Sequence, residues 1–333
     1  MSQFWVGIDV SKRKLDVALL NDAGKVKSKS VANDPLGFAA LMIWLKDRGA
    51  ELASTHVCLE ATGVYSDGCA TAFADAGWVV SVVNPSLPKS FGQSELKRNK
   101  TDEMDAALLA RYCSKMSPAA WKPAPVEYRK LRSLVDRLQA LKDMYQQEAN
   151  RLEASVEDAA KQSITQHLTW LAARIAELDK DINKHIGGNK GTLREDAKLL
   201  TSIPGIGKTT AAKVLGLAGD IRRFTSAKAL AAFIGVTPQR YESGTSVRGR
   251  SGISQAGHHR LRHALFMPTL VATKHNPPVK AFRNRLVAAG KTKKSAALAS
   301  MNKLVHIMYA VVQKGVAFDT RFSGLALDVQ DGI

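Results

Sequence analysis

The chain has 333 residues, 45% of them hydrophobic, and 48 lysines and arginines against 30 acids, a net charge of +18. That length predicts two or three domains rather than one, no apolar run approaches the ~18 residues of a membrane span, and no basic-then-apolar leader opens the chain. Three cysteines, Cys58, Cys69 and Cys113, are odd in number and lack metal-ligand spacing, which fits reduced thiols in a cytosolic protein. The charge is unevenly spread. Residues 1–120 carry 14 basic and 13 acidic side chains, 121–190 carry 12 and 10, and 191–333 carry 22 and 7. The surface that meets a polyanion is therefore expected in the last 143 residues.

In chain order, residues 4–115 alternate strand and helix patterns. Strands are predicted over 4–10, 15–20 and roughly 25–32, the last polar and alternating as an edge strand tends to be. Asn33-Asp34-Pro35 stops that strand, and Pro35 suits the first position of a helix running to about 48. The run THVCLEATG reads as a strand ending at Glu60, followed by a helix over Tyr65–Ala76 and the strand WVVSVVNP. Three consecutive strands, then helix, strand, helix and strand, resemble a ribonuclease H-like α/β fold in element order.

Within that frame the acids stand out. Asp9 and Glu60 both close apolar strand runs, at the carboxyl edge where open α/β sheets present ligands. The segment NKTDEMD starts a helix, with Thr101 as N-cap and Asp102 and Asp105 three apart on its first turn. Four converging carboxylates cannot all ionise without a cation. Oxygen-only ligands favour Mg²⁺, with Mn²⁺ as a substitute, over zinc. Residues 85–100 read as a loop whose basic end, Lys97, Arg98 and Lys100, precedes the two aspartates and can hold phosphate, or is simply solvated.

A linker, Pro118–Pro125, ends this part. Apolar residues at 131, 134, 138, 141 and 145, and again at 164, 168, 171, 175, 178 and 182, follow heptad spacing in two helices broken around Val156–Ser163. An antiparallel helical hairpin is expected, and it reads as an assembly device. Next, PGIG between two helical patterns in LLTSIPGIGKTTAAKVLGL fits a helix-hairpin-helix element. Gly205, Gly207, Lys208 and Thr209 would offer backbone N–H groups and positive potential to a DNA phosphate. The loop TPQRYESGTSVRGRSG brings Arg240, Arg248 and Arg250 to phosphate, with Ser243 in a Gly-flanked position. Spacing alone makes it a phosphate-gripping loop first and a catalytic-serine loop second. Helices over about 256–274, 278–289 and 293–314 follow, and His258, His259 and Arg262 are expected to contact backbone phosphate.

Taken together, GIDVSKRKLDVAL, CLEATGVY, VSVVNP, KRNKTDEMDA, SIPGIGKTTA, FIGVTPQRYESGTSVRG and GHHRLRHALFMP resemble, in order and over essentially the whole chain, the insertion sequence one-ten family of transposases, also called bridge-RNA-guided recombinases. The resemblance implies a RuvC-like, RNase H-like N-terminal domain (1–120), a coiled-coil dimerisation region (126–186) and a mostly helical C-terminal transposase domain (195–320). It implies a D-E-D-D tetrad of Asp9, Glu60, Asp102 and Asp105 holding Mg²⁺, and an essential serine at Ser243. It further implies donor and target DNA and a structured guide (bridge) RNA as partners. Self-assembly to dimer and tetramer, and residence in the bacterial cytosol or nucleoid without a membrane, belong to the same expectation. Two other readings use the same residues: a metal-dependent junction nuclease that uses water, and a non-catalytic nucleic-acid-binding protein.

Overall fold

In the computed structural model, residues 3–94, 102–239, 242–243, 247–248, 252–253 and 257–319 are described. The chain forms two compact units, Met1–Pro123 and Ala124–Ile333.

The first unit is built on a five-stranded sheet. Its strands are β1 (Phe4–Val10), β2 (Lys14–Asn21), β3 (Val26–Ala32), β4 (Thr55–Glu60) and β5 (Val79–Val83), in the order β3-β2-β1-β4-β5. β1, β2 and β3 pair antiparallel, while β4 and β5 join β1 in parallel. Helix α1 (Pro35–Lys46) starts where expected: Asp34 Oδ1 accepts from the Gly37 amide at 2.7 Å, and Pro35 takes the first position. With α2 (Val64–Asp75) it covers one face, where Val6, Ile8, Leu15, Val17, Leu41, Leu45 and Phe73 are buried together.

The other face takes α4 (Asp102–Met116), preceded by α3 (Ser86–Ser94). α3 replaces part of the expected loop. Pro85, Pro88 and Gly92 read as breakers, but Asn84 Oδ1 caps Ser86 at 3.0 Å and Pro88 falls in the first turn, where its missing N–H costs nothing. Phe91 then packs edge-on against Tyr112.

Gly7 fixes how close α4 sits. A Cβ there would lie 2.0 Å from the Ala106 carbonyl oxygen and 2.4 Å from the Ala110 nitrogen, so helix backbone touches strand backbone. Trp5, on the same side of β1, packs among Leu109, Tyr112 and Cys113 and also beside Ala106 and Ala110. Going from Trp5 through Gly7 to Asp9 therefore leads toward the start of α4.

The second unit opens with a helical hairpin of α5 (Val126–Ala154) and α6 (Asp158–Gly188), each about 45 Å long at 1.5 Å per residue. The break between them is shorter than the expected 156–163: helix resumes at Asp158. Beyond it lie α7 (Thr192–Thr201), α8 (Lys208–Ala218), α9 (Ala227–Ile234), α10 (His259–His275), α11 (Pro277–Ala288) and α12 (Lys293–Lys314). The base of the hairpin shares this unit's core, with Leu131, Val135, Leu138 and Ile182 buried in one cluster with Leu215, Ile234, Leu265 and Leu304. Buried Asp196 on α7 accepts from Tyr128 of α5 at 2.9 Å and from Arg222 at 2.6 and 2.7 Å, which pairs its charge inside the core. Among the described residues α12 alone is long and apolar enough to cross a membrane by length and composition, and 61% of that window is buried in the unit, as in a core helix.

Candidate active site and nucleic-acid interface

β1 and β4 run parallel with Ile8 opposite Leu59, so the next residues, Asp9 and Glu60, occupy neighbouring positions at the carboxyl edge of the sheet. Glu60 is held where β4 ends. Its carbonyl accepts from the Thr62 amide at 3.0 Å, the Ala61 amide donates to Val83 at 2.9 Å, and Ser66 Oγ accepts from Thr62 N at 3.1 Å. Asp105 lies on the first turn of α4, which the Gly7 contact seats over β1 at this same end. Asp9, Glu60 and Asp105 are all half-buried. Asp102 opens α4 as a backbone position, and its side chain lies outside the described residues, as do Thr101, Lys97, Arg98 and Lys100.

Sequence reading passed over Asp16. It pairs directly with Asp9 across β1 and β2, so both side chains emerge on the same face. Its carboxylate is only 14% exposed and meets Lys14 Nζ at 2.8 Å. The signal was present in the sequence: Asp9 and Asp16 bracket a four-residue turn, so antiparallel strands must bring them opposite. Three strands thus present Asp16, Asp9 and Glu60 side by side. Like charges directly opposite one another repel, and Lys14 offsets one of them.

Ligand chemistry here fits a hard divalent cation: the donors are carboxylates, with no imidazole or thiolate in the row. Among the described residues, no group of three or more His, Cys, Asp or Glu side chains stands close enough together to hold a metal ion. Cys58 and Cys113, nearby on β4 and α4, are buried and hydrogen-bonded to each other, which pushes the Cys113 thiol up and keeps it neutral. Burial likewise pushes Cys69 up to about 12.

In the second unit, the PGIG turn divides its glycines between two tasks. Gly205, at φ +105°, packs against α10: a Cβ would lie 2.8 Å from both the Pro268 carbonyl oxygen and Ala272 Cβ. Gly207 faces open space, with nothing within 4 Å of a built Cβ, and is the N-cap of α8 without a side-chain cap. Lys208 and Thr209 beside it are exposed, and no acid occupies the first turn. The start of α8 therefore offers unpaired amides and helix-dipole potential to an anion.

Residues 237–252 are expected as a loop, but the stretch from Pro238 to Ile253 carries the paired strands of a β-hairpin. Pro238–Gln239 (β6) pairs with Gly252–Ile253 (β9), and inside it Glu242–Ser243 (β7) pairs with Val247–Arg248 (β8), with Ser243 opposite Val247. Alternation of Tyr241, Ser243, Thr245 and Val247 with polar or glycine neighbours suits strands, a pattern obscured by three glycines, Gly244, Gly249 and Gly252. Ser243 stands at the last paired position before the tip. The side chains of Ser243 and Arg248, and all of Arg240 and Arg250, lie outside the described residues.

The base of this hairpin is pinned. Gly257 (φ +149°) would place a Cβ 2.6 Å from the Gly235 Cα, the His258 amide donates to Phe233 at 2.8 Å, and Asn302 Nδ2 donates to Val236 at 3.1 Å. His258 and Arg262 are employed here. The His258 ring caps α10 by accepting from Leu261 N, and Arg262 Nη1 donates to the Ile234 and Gly235 carbonyls. Burial, with Arg132 and Arg260 nearby, lowers the pKa of His258. Of the three expected phosphate contacts on α10, His259 is the exposed one.

Comparison with known proteins supplies the class. Residues 6–160 match a family model described as transposase, and residues 197–284 match the model of the transposase IS116/IS110/IS902 family. Pilin gene-inverting proteins of Moraxella lacunata and Moraxella bovis are each 34% identical over 322 residues, 96% of this chain and 99% of theirs. A transposase for insertion sequence element IS1111A of Coxiella burnetii is 24% identical over 304 residues, 81% of this chain and 78% of its own. Two consecutive transposase regions define a DNA transposase, an enzyme that cuts and joins DNA. The chain belongs to the IS110 family of transposases.

Proposed function

We propose that the chain is a site-specific recombinase that moves an insertion sequence under the direction of a bridge RNA, with a carboxylate metal site in the first unit and Ser243 as nucleophile. The observation that carries this reading is the alignment of Asp9 and Glu60 on adjacent parallel strands beneath the first turn of α4. Element order and the mixed sheet support a RuvC-like, RNase H-like unit. Asp9, Glu60, Asp102 and Asp105 would hold Mg²⁺, which supplies charge neutralisation at a scissile phosphate and lowers the pKa of a bound hydroxyl.

The chain's own residues do the rest. Ser243 Oγ attacks phosphorus, forming a serine–phosphate ester as the scissile P–O bond breaks. The proton leaves Oγ, and the departing strand oxygen takes one up. Attack on that ester by a hydroxyl of a second strand regenerates serine and joins the new ends, so the bond energy is conserved. Gly207, Lys208 and the basic hairpin side chains Arg240, Arg248 and Arg250 hold the backbone meanwhile. Functional division into catalytic (1–120), coiled-coil assembly (126–186) and DNA-handling (195–320) parts belongs to the same proposal. Met144, Tyr145, Val156 and Trp170, exposed on the far part of the α5–α6 hairpin, support assembly through that region to dimer and tetramer.

The test uses protein, bridge RNA, donor and target DNA and Mg²⁺. A denaturation-resistant protein–DNA adduct is expected to map to Ser243. Ser243→Ala should lose adduct and recombination, while Ser246→Ala keeps both. Cleavage that survives Ser243→Ala without an adduct or rejoining, still dependent on Asp9 and Glu60, replaces this reading with a water-using nuclease, and recombination that survives it removes Ser243 as the nucleophile.

A further inference from the structure

Outside the site described above, the second unit carries a cluster of basic side chains on α9, α11 and α12. Between Asp220 and Asp319 the chain has seventeen lysines and arginines and a single acid, Glu242. No carboxylate is therefore available on α9, α10, α11 or α12. The partly exposed stripe of α12 runs through Asn302, Lys303, His306, Tyr309 and Gln313. Three of these are tied to backbone: Asn302 to Val236 at 3.1 Å, Tyr309 OH to Phe224 at 3.0 Å and Gln313 to Arg222 at 3.4 Å. Between those anchors stand Lys303 and His306.

Their electrostatic neighbours are all cations. Lys303 and Lys228 of α9 act on His306, and Arg285 of α11 acts on Lys303. Phe282 lies under the Arg285 guanidinium, 5.5 Å from ring centroid to Cζ. We infer that Lys228, Arg285, Lys303 and His306 form a phosphodiester clamp, a nucleic-acid contact separate from the α8 start and from the Ser243 hairpin.

Half-burying the Lys303 ammonium beside Arg285 is unfavourable unless an anion arrives, and the neutral His306 ring beside it can still give a phosphate oxygen an N–H. Burial lowers the pKa of both Lys303 and His306, and the neighbouring cations add to it. A fold that pairs its buried Asp196 with Arg222 and Tyr128 does not lack means of neutralising charge. Here it leaves the charge for a ligand. Lys303 and His306 are about 4.5 Å apart along the helix axis at 1.5 Å per residue, so one phosphate can lie between them. For an enzyme that cuts and joins DNA, the anion is a phosphodiester backbone, of DNA or of RNA. The inference rests on the transposase family alone and not on the serine or metal proposals.

The experiment is equilibrium binding by the full chain without Mg²⁺, with a 30-base-pair duplex DNA and a structured RNA hairpin in separate titrations over a range of salt. Lys228→Gln, Lys303→Gln and His306→Gln are compared with Lys180→Gln, an exposed lysine on α6. Removing one neutralised phosphate lowers the slope of log affinity against log salt by about 0.9 for duplex DNA. Lys228→Gln and Lys303→Gln should each reduce the slope by about one and affinity several-fold, while Lys180→Gln leaves both unchanged. A reduced slope with DNA alone assigns the clamp to DNA, with RNA alone to RNA. Unchanged slopes with both probes overturn it. Lys228 is exposed on α9, so its substitution decides the matter even if the α12 variants fail to fold.

Discussion

Gly7→Ala tests the geometry on which the acidic site depends. The added methyl would stand 2.0 Å from the Ala106 oxygen, 2.4 Å from the Ala110 nitrogen and 2.8 Å from Leu109 Cβ. An ordinary carbon–oxygen contact lies near 3.4 Å, so α4 must lift from β1 by roughly 1.4 Å. Two of the three obstructing atoms are helix backbone, which cannot rotate aside as a side chain can. The cost should sit at or above the upper end of overpacking, about 3 kcal/mol. Thermal unfolding of the full chain should then fall by about 10 °C in the transition of the first unit. The same lift carries Asp105 away from Asp9 and Glu60, and a misplacement of about 1 Å at a catalytic centre can cost on the order of 100-fold. Gly92→Ala is the control: its methyl would meet only the terminal carbons of Leu108, 2.9 Å away, which can turn. A Gly7→Ala protein that melts and cleaves DNA like wild type would refute the seating of α4. One that is destabilised yet cleaves normally once folded would remove Asp105 from the site.

Asp9→Asn or Glu60→Gln should abolish strand cleavage while DNA affinity in filter binding stays within about two-fold, because the excess positive charge lies in the second unit. Asp16→Asn should leave cleavage possible but raise the Mg²⁺ concentration for half-maximal rate several-fold, since it removes a negative charge opposite Asp9; an unchanged metal titration would make Asp16 a bystander. Arg222→Met should cost about 3–5 kcal/mol in urea unfolding by stranding the buried Asp196 carboxylate. Burial pushes the Tyr128 hydroxyl up, with Asp196 adding and a Thr192 hydrogen bond opposing. The folded value lies above the unfolded value of about 10, so stability is present below pH ~10 and is lost as pH rises through the folded value; urea midpoints between pH 8 and 11 should fall in wild type and fall less in Tyr128→Phe.

The first unit was legible because its signals are local. Apolar runs ending in Asp9 and Glu60 marked strands and their edge, and Asp34-Pro35 marked a helix start that the capping bond to Gly37 explains. Heptad leucines marked α5 and α6. What stayed hidden depends on contacts between distant residues. Pro85, Pro88 and Gly92 look like loop until Phe91 finds Tyr112. The short ladders around Ser243 are obscured by glycines. Nor does a heptad reveal that Leu131 and Val135 belong to the core of α8 and α12, where Val135 lies 3.2 Å from the Cβ position of Gly216. A DNA-binding fragment should therefore begin at Ala124. Residues 124–333, with 33 basic and 17 acidic side chains, should bind with steep salt dependence, and a fragment from 191 should lose that core and fold poorly.

The pinned base of the Ser243 hairpin has a consequence for any assembled complex. Val236, fixed by Asn302, is seven residues from Ser243, and a fully extended chain spans at most about 3.4 Å per residue. Ser243 is thus tethered within roughly 24 Å of the Gly235–Gly257 contact. That radius is a ruler: in any complex a spin label or cross-linker near Gly257 must find Ser243 inside the same sphere, and with Ser243 as the proposed nucleophile the scissile phosphate lies within reach of that sphere too. Adding one residue to each arm of the hairpin would widen the sphere by only about 3 Å, so the length of this tether sets how far from the Gly235–Gly257 contact a DNA strand can lie and still meet Ser243.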